Sequence, residues 1–362
     1  MKVLIAAWHL DQFNVGIGRY TRALVEAISR VDSEHQYTVL TPKPVSLSLT
    51  HDNVQCLVTR VPLVRRRGWE QCVPLLNGCY DLLHFPYDSC VAWKRSKFVV
   101  TIHDIKPLLF PALRSKPTIA GFIEQRLVGD RLSKIDHVLT VSHNSKRDIA
   151  QHLAIPAERI TVVYPGVDMP WFSRPAEFVK PADPYILSVA GADPTKNVEA
   201  VIKAYAGLPK EVRDGMSLLL AGDVTKQSGL RHLIDSLHVK ERVRFTGVVD
   251  DETLRRLYWG AALFVFPSLY EGFGFPVLEA MAAGCPVICS NTSSLPEVGG
   301  DAALLVDPQN VEALAHAMLE VITSSDLQTK MIRAGLNHAT RFMWDKTAEE
   351  TIAVYRKVVA LS

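Results

Sequence analysis

The chain has 362 residues, of which 48% are hydrophobic and 22% charged, and a length of this kind is typical of two domains. The composition excludes a disordered, collagen-like or coiled-coil protein, and the balance of 40 Lys and Arg against 38 Asp and Glu argues against a nucleic-acid-binding protein. Residues 1–175 nevertheless carry 22 Lys and Arg against 15 Asp and Glu, whereas residues 176–362 carry 18 against 23. This asymmetry suggests that the basic half binds an anionic partner.

Short apolar runs rich in β-branched residues alternate with helical patterns along the whole chain. We predict strands at residues 2–7, 37–41, 53–58, 81–85, 97–102, 137–142, 160–164, 185–191, 217–223, 243–247, 263–268, 287–290 and 303–307. These runs are continuous rather than alternating, as in strands buried on both faces of a parallel sheet. Helical patterns lie between the strands of the second half, at residues 197–206, 225–237, 250–261, 277–283 and 311–324. The alternation predicts an α/β protein with two doubly wound, Rossmann-like domains.

Residues 165–184 contain five prolines and little periodicity, and we interpret this segment as a linker. The predicted domains are therefore residues 1–170 and 171–345, followed by a helix at residues 346–362. Ligands of doubly wound sheets bind outside the carboxyl ends of the strands. Two such sheets facing one another would form a cleft, so the loops after the strands are the expected functional positions.

The six cysteines form no C-x-x-C pair, which favours a cytoplasmic protein without a disulfide framework or a zinc ribbon. The N-terminus is interpreted as a buried strand rather than a signal peptide, and no apolar stretch is long enough to predict a transmembrane helix. No H-E-x-x-H motif or cluster of His and Cys indicates a metal site. We therefore expect neither a metal nor a cofactor.

The most informative segment is residues 268–290, SLYEGFGFPVLEAMAAGCPVICS. A strand ends, a glycine-rich loop containing Glu271 follows, and a short helix is predicted to begin at Pro276. The amides of residues 273–275 would face an anion such as a diphosphate. Glu279, expected in the first turn of the helix, could accept hydrogen bonds from ribose hydroxyls. An isolated pair of glutamates at this spacing would more often be a loop carboxylate and an acid that stabilises the helix dipole.

Residues 271–308 closely resemble the donor-binding region of retaining, GT-B-fold glycosyltransferases of family 4, most strongly the mannosyltransferase-like bacterial branch. Weaker similarity continues through residues 16–28, 103–111, 140–149 and 163–168. The resemblance implies the GT-B fold, in which two Rossmann-like domains face one another across a cleft. It also implies that the N-terminal domain binds the acceptor, that the C-terminal domain binds a nucleotide sugar, and that the last helix packs back on the N-terminal domain.

The resemblance implies roles for individual residues. His103 would lie beside the reacting sugar, Glu271 would hold its hydroxyls, and Lys196 would neutralise the diphosphate, whose charge grows in the transition state. Glu279 would bind the ribose, and the loop near residues 247–249 would contact the base. The donor-binding set that follows is Gly16, Gly18, Arg19, Gly247, Val248, Phe273, Gly274, Phe275 and Glu279.

Three positions depart from the family pattern. Val15 stands where the family has the first glycine of its N-terminal pair, which is a milder change. Ala192 and Thr195 stand where the family often has arginine, so neutralisation of the diphosphate would depend on Lys196 and Arg19. Weaker donor binding, or a degenerate protein that binds nucleotide or glycan without catalysis, is therefore an open alternative.

Three arginines, Arg65, Arg66 and Arg67, lie close to Trp69. One interpretation is a solvated loop. The other is a surface that contacts anionic lipid headgroups and brings the enzyme to a lipid-linked acceptor. The second interpretation would place a cytoplasmic enzyme peripherally on the inner face of the membrane.

The sequence thus predicts a retaining, metal-independent hexosyltransferase that moves mannose from GDP-mannose to a hydroxyl of a polysaccharide, such as that of lipopolysaccharide, or of a lipid-linked oligosaccharide. The expected partners are a nucleotide diphosphate sugar, this acceptor and an anionic membrane surface, but no nucleic acid. A UDP- or dTDP-sugar donor, used by a glucosyl- or rhamnosyltransferase, is an alternative. So is a sugar-nucleotide 2-epimerase, which shares the GT-B architecture.

Overall fold

The computed structural model describes residues 1–11, 16–59, 66–76, 80–89, 91, 93–110, 132, 134–224 and 229–361, without the side chains of Arg67 and Leu76. The chain folds as two compact units. One comprises Met1–Gly166 with Met343–Ser362, and the other Val167–Phe342. The chain therefore leaves the first unit after Gly166 and returns to it at Met343.

The first unit is built on a seven-stranded sheet in which the paired strands run parallel. Its strands are β1 Lys2–Ala6, β2 Gln36–Thr41, β3 Val54–Val58, β4 Leu82–Phe85, β5 Lys97–Thr101, β6 His137–Thr140 and β7 Ile160–Val162. Their order across the sheet is β3-β2-β1-β4-β5-β6-β7. The order reverses between β1 and β4, and this switch point is where doubly wound sheets bind ligands.

Helices of the first unit pack against this sheet. They are α1 Gly16–Val31, α2 Arg66–Leu76, α3 Lys106–Leu109 and α4 His143–Leu153, with short 3-10 helices at Trp8–Asp11 and Ala157–Arg159. Helix α1 buries the apolar stripe formed by Leu24, Val25 and Ile28. Such a stripe, with polar residues opposite, stabilises a helix against a sheet.

The C-terminal helix, Trp344–Ala360, belongs to the first unit and packs against α1. Its buried face includes Ile352 and Tyr355, and the Tyr355 hydroxyl is hydrogen-bonded to His84 Nδ1 at 2.6 Å. An ion pair between Arg30 and Asp345, at 2.7 Å, joins the two helices at the surface. The first unit is thus completed by residues from the end of the chain.

The second unit contains a six-stranded sheet, also with parallel pairings. Its strands are β8 Tyr185–Val189, β9 Ser217–Ala221, β10 Val243–Gly247, β11 Leu263–Phe266, β12 Val287–Ser290 and β13 Leu304–Val306. Their order is β10-β9-β8-β11-β12-β13. The switch point of this sheet therefore lies between β8 and β11.

The helices of the second unit lie before, between and after its strands. They are α5 Met169–Phe172, α6 Val198–Ala206, α7 Lys210–Gly215, α8 Gly229–Ser236, α9 Asp251–Gly260, α10 Phe275–Ala282, α11 Leu295–Gly299, α12 Val311–Thr323 and α13 Ser325–Ala339, with 3-10 helices at Pro194–Lys196, Lys240–Arg242 and Gly300–Ala302. Asp250 caps α9 by accepting a hydrogen bond from the Thr253 amide. Acidic residues 250–252 thus serve a helix start.

The segment predicted as a linker contains a docked element. Asp168 caps the short helix α5, and Trp171 stacks on the Arg255 guanidinium at 3.8 Å from the ring centroid. The indole of Trp259 donates a hydrogen bond to the Phe172 carbonyl. The prolines predicted an irregular backbone. The contacts of Trp171 and Trp259 nevertheless hold this part of the segment in place in the second unit.

The two Rossmann-like domains are confirmed, because each predicted strand has a counterpart within the described ranges. Several predicted strands continue up to two residues past the observed ends. The reason is that apolar residues just beyond a strand, such as Val141 and Val163, are also buried. Residues 225–228 of one predicted helix lie outside the described part of the chain.

Candidate active site

The loops that follow β8 and β11 are joined to each other at the switch point of the second sheet. The Thr195 carbonyl accepts a hydrogen bond from the Leu269 amide at 2.7 Å, and its oxygen lies 2.9 Å from Ser268 Oγ. The side-chain amide of Asn197 donates to the carbonyls of Pro267 and Pro308. These bonds satisfy buried polar groups and fix the positions of both loops.

The joined loops bring Lys196 and Glu271 into an ion pair. Lys196 Nζ lies 2.7 Å from Glu271 Oε1, and both side chains are largely buried. The same carboxylate oxygen accepts from Ser268 Oγ at 2.6 Å, and the Glu271 amide donates to Ser293 Oγ. Lys196 Nζ also lies 4.9 Å from the centroid of the Phe266 ring. An ammonium group has three donors, so Lys196 can keep this contact and still donate to a ligand oxygen.

The glycine-rich loop leads directly into helix α10. Gly274 has φ +121°, and a Cβ there would lie 2.7 Å from Leu295 Cδ2, so the position requires glycine. The helix begins at Phe275, which makes Pro276 its second residue rather than its first. The Ser294 hydroxyl donates to the carbonyl of Phe273. Phe273, Gly274 and Phe275 thus lie at a helix N-terminus, where anions are favoured.

Glu279 lies in the second turn of α10, so the prediction of a first-turn acid is wrong. The helix starts two residues earlier than the apolar pattern indicated, which moves Glu279 to its fifth position. The side chain is buried, and its Oε2 accepts a hydrogen bond from the Tyr258 hydroxyl at 3.1 Å. Tyr258 therefore orients this carboxylate, and its predicted contact with a ribose stays a prediction.

Gly247 and Val248 lie where the edge strand β10 ends. The Gly247 carbonyl accepts a hydrogen bond from the Gly222 amide at 2.9 Å, and the Val248 side chain is 71% exposed. An exposed apolar residue beside a fixed turn suits contact with a flat base. The predicted role of these two residues stays a prediction.

In the first unit, His103 follows β5, and its ring is held by the loop after β4. His103 Nε2 lies 3.1 Å from the Pro86 carbonyl. Because a carbonyl can only accept, Nε2 carries the proton and Nδ1 is the acceptor. Burial lowers the pKa of His103, which favours the neutral ring. The ring also packs edge-on against Tyr20, with centroids 4.6 Å apart.

Gly16, Gly18 and Arg19 form the beginning of α1. Gly16 is exposed, and no atom of the described residues lies within 4 Å of the position that a Cβ would occupy, whereas Gly18 is buried. The preceding residues 12–15 lie outside the described part of the chain.

The basic surface predicted around Trp69 is only partly described. Arg65 and the side chain of Arg67 lie outside the described residues. Arg66 forms an ion pair with Glu70, with 2.9 Å between Nε and Oε1. Trp69 is 2% exposed, and its Nε1 donates to Thr59 Oγ1 at 2.6 Å. The prediction that Trp69 contacts a membrane or an acceptor is wrong, because its indole is part of the core.

Sequence reasoning missed the residues that support the site. They are Ser268, Asn197, Ser293, Ser294 and Tyr258. Thr195 was noted only as a departure from an arginine, yet it is buried and donates its hydroxyl to Asp193. The available signal was the position of Ser268 at the end of a strand, but many loop serines share that position.

The described residues contain neither a metal-binding cluster nor a helix that could span a membrane. No three side chains of His, Cys, Asp and Glu come close enough in these ranges to share a metal ion. Within the same ranges, no helix combines the length and the apolar character that crossing a bilayer requires.

Comparison with known proteins covers both units. Residues 171–338 match the family described as glycosyl transferases group 1, and residues 15–170 match glycosyltransferase family 4. The O-antigen chain mannosyltransferase B of Escherichia coli is 30% identical over 98% of this chain and 100% of its own length. The serotype-specific mannosyltransferase WbdA of E. coli is also 30% identical, over 79% of this chain, but the match spans only 36% of that longer protein.

Solved structures share the fold at lower identity. Sucrose-phosphate synthase from Thermosynechococcus elongatus superimposes with a TM-score of 0.79 and 20% identity over the whole of both chains. WaaG, a glycosyltransferase involved in lipopolysaccharide biosynthesis, gives a TM-score of 0.72 and 16% identity over 98% of this chain and 99% of its own. At these identities the similarity concerns the fold alone.

Proposed function

The chain belongs to the family 4 glycosyltransferases of the GT-B fold, and from this premise we propose that it transfers mannose from GDP-mannose to a hydroxyl of a glycan acceptor. Full-length similarity to an E. coli O-antigen mannosyltransferase supports mannose as the transferred sugar. The acceptor would be a surface polysaccharide or a lipid-linked oligosaccharide at the cytoplasmic face of a membrane.

The observation that carries the proposal is the ion pair between Lys196 and Glu271 at the switch point of the second sheet. Lys196 would stabilise the leaving diphosphate, whose negative charge increases as the glycosidic bond to phosphate breaks. Glu271 would accept hydrogen bonds from hydroxyls of the mannose and orient it. The helix start at Phe275 would add favourable electrostatics for the same phosphates.

We propose that the reaction retains the anomeric configuration. The bond between the anomeric carbon and the phosphate oxygen breaks while the acceptor oxygen attacks the same face of the sugar. The leaving phosphate takes the acceptor's proton, so no carboxylate nucleophile is required. His103, neutral and with Nδ1 as an acceptor, would hold a hydroxyl of the sugar.

Thr195 and Ala192 bear on the strength of donor binding. The Thr195 hydroxyl donates to Asp193 within a capped turn, so this side chain supports the loop. We propose that Lys196, together with Arg19, supplies the positive charge for the diphosphate. No metal or cofactor would be needed, so a chelator such as EDTA should leave the transfer rate unchanged.

The first test compares nucleotides by thermal unfolding of the protein with GDP, UDP, dTDP and ADP. A ligand at about 100 times its dissociation constant adds about 2.7 kcal/mol to the stability of the domain that binds it. We expect GDP to raise the unfolding temperature of the second unit by several degrees and the other nucleotides to raise it less. Stabilisation by UDP, dTDP or ADP instead of GDP would contradict the proposed donor.

The second test measures the product. We expect GDP-mannose and octyl α-mannoside to give an α-linked disaccharide, which the anomeric signals in an NMR spectrum identify. A β-linked product would contradict retention. Conversion of GDP-mannose to another GDP-sugar without any acceptor would favour an epimerase, and GDP binding without turnover would favour a scaffold.

A further inference from the structure

The switch point of the first sheet carries a polar cluster to which no role has yet been assigned. The loop after β1 contains the short helix Trp8–Asp11, and the loop after β4 contains Asp88. Strands β1 and β4 are neighbours, so both loops lie at the same edge of the sheet. In the second unit the corresponding position holds Lys196 and Glu271. Doubly wound sheets bind ligands at such positions.

Arg66, from the start of α2, connects these loops. Its guanidinium lies 2.9 Å from Glu70 Oε1, 3.1 Å from His9 Nε2 and 3.1 Å from the Asp88 carbonyl. It also lies 5.2 Å from the centroid of the Tyr87 ring. Since contacts on several sides restrain it, the Arg66 side chain is a fixed part of the site rather than a mobile surface group.

The charges around Arg66 disfavour an anionic ligand. Two carboxylates, Glu70 at 2.9 Å and Asp88 at 3.6 Å, compensate the single guanidinium. Glu70 is buried, whereas the Asp88 side chain is 65% exposed. Burial lowers the pKa of Arg66, but Asp88 and Glu70 raise it above the usual value, so Arg66 stays charged. The exposed end of the cluster is therefore a carboxylate, which repels phosphate and accepts hydrogen bonds from hydroxyls.

The cluster adjoins His103. The His103 ring donates to the Pro86 carbonyl, two residues before Asp88, and Asp88 is close enough to act on the ring electrostatically. Trp8, beside His9 in the loop after β1, is half-buried, and its ring packs against that of Trp69 with centroids 5.4 Å apart. An exposed carboxylate at this edge of the sheet suits the hydroxyls of a sugar.

We propose that Asp88, held in place by Arg66, binds a pair of hydroxyls of the acceptor sugar, and that the acceptor at this subsite is a neutral hexoside. The inference rests on the proposed function, because it takes His103 to mark the position of the transferred sugar. The subsite excludes a phosphorylated or carboxylated sugar at this position.

The experiment compares Asp88→Asn with a matched control, Asp52→Asn. Asp52 is exposed and precedes β3, so it lies at the opposite edge of the same sheet. Three quantities are measured for each protein: the KM for octyl α-mannoside, the rate of GDP-mannose hydrolysis without acceptor, and the thermal shift with GDP. The thermal shift with GDP reports on the donor site and the fold alone.

We expect Asp88→Asn to raise the KM for the mannoside roughly 10- to 100-fold, because hydrogen bonds between the sugar hydroxyls and a charged carboxylate are lost. The GDP shift should stay at the wild-type level, and Asp52→Asn should change none of the three. A fall in kcat with an unchanged KM would overturn the subsite. So would tighter binding of a mannoside phosphate than of the neutral mannoside.

Two further results separate failure of this inference from failure of the proposed function. A wild-type protein that neither binds GDP nor hydrolyses GDP-mannose would contradict the proposed function itself. A wild-type protein that hydrolyses GDP-mannose but does not use the mannoside would overturn the acceptor class.

The Arg66→Gln variant tests a membrane contact. If it no longer binds vesicles of equal parts phosphatidylglycerol and phosphatidylethanolamine while its KM for the mannoside is unchanged, a membrane contact is favoured and the subsite is overturned.

Discussion

Lys196 and Glu271 are separated by 75 residues of sequence, yet their charged groups lie 2.7 Å apart. Their pairing depends on the Thr195 carbonyl, which accepts from the Leu269 amide, and on the Ser268 hydroxyl, which donates to Glu271. A buried pair of this kind costs desolvation, and removing one partner leaves an uncompensated charge. The pair therefore suits a site that exchanges one of these contacts for a ligand.

Substitution of each partner should separate their roles. We expect Glu271→Gln to lower mannosyl transfer roughly 100- to 1000-fold, because it removes a charged acceptor that orients the sugar. Its thermal stabilisation by GDP should persist, since Lys196 still faces the diphosphate. Lys196→Met should lower transfer to a similar extent and also lose most of the GDP stabilisation. Rates and GDP titrations of both variants check this.

The control is Lys203→Met, which removes an exposed lysine from α6 that pairs only with Glu199 of the same helix among the described contacts. It should leave transfer and GDP binding unchanged. Near-normal transfer by Glu271→Gln would remove Glu271 from the mechanism, and an unchanged GDP shift in Lys196→Met would remove Lys196 from the phosphate site.

At the scale of elements, the turn after β9 sets the shape of the carboxyl edge of the second sheet. Gly222 has φ +127°, a conformation almost restricted to glycine, and its amide donates to the Gly247 carbonyl. A Cβ at Gly222 would lie 2.1 Å from the Ala190 carbonyl oxygen. The loops after β8, β9 and β10 are therefore packed backbone to backbone.

We expect Gly222→Ala to destabilise the second unit by about 2–4 kcal/mol, because the backbone must both leave a strained conformation and move away from Ala190. Urea unfolding of the variant measures this change. Gly229→Ala is the matched control, since no atom lies within 4 Å of its Cβ position at the start of α8. Equal stability of the two variants would show that the turn after β9 can rearrange without cost.

At the scale of the whole molecule, the first unit needs both ends of the chain. The His84 ring, in β4, is hydrogen-bonded through Nε2 to Thr101 of β5 and through Nδ1 to Tyr355 of the C-terminal helix. Burial lowers the pKa of His84 to about 3 and that of His137, in β6, to about 4. Both rings are thus held neutral in the folded first unit.

This arrangement predicts that acid destabilises the first unit. The unfolded chain protonates these histidines near their ordinary pKa of 6.5, whereas the folded unit does so only near pH 3 to 4. The part of the first unit's free energy of unfolding that depends on these two histidines is therefore greatest above pH 6.5. It decreases as the pH falls towards 4. Each histidine accounts for at most about 1.4 kcal/mol per pH unit in this range.

Calorimetry between pH 7 and pH 4.5 checks the prediction. We expect the transition of the first unit to move to lower temperature on acidification, and His84→Gln or His137→Gln to make that movement smaller. His51→Gln, at an exposed position, should leave it as in the wild type. A transition that moves equally in all four proteins would contradict the proposed source of acid sensitivity.

The sequence by itself determined the class of fold and the family. Continuous apolar runs separated by helical patterns require buried parallel strands, and this requirement is local. The segment from Glu271 to Pro308 indicated a glycosyltransferase, because its glycines and glutamates have a characteristic spacing. Even there the local signal was incomplete, since the start of α10 two residues early moved Glu279 into its second turn.

Only the tertiary structure decided which side chains meet. The contact between Lys196 and Glu271 requires β8 and β11 to be neighbours, and the cluster of His9, Arg66 and Asp88 requires the same of β1 and β4. Trp69 followed three arginines in a pattern typical of a membrane surface, yet it is buried. The physical reason is that periodicity and composition report on one segment at a time, whereas burial and pairing depend on elements distant in sequence.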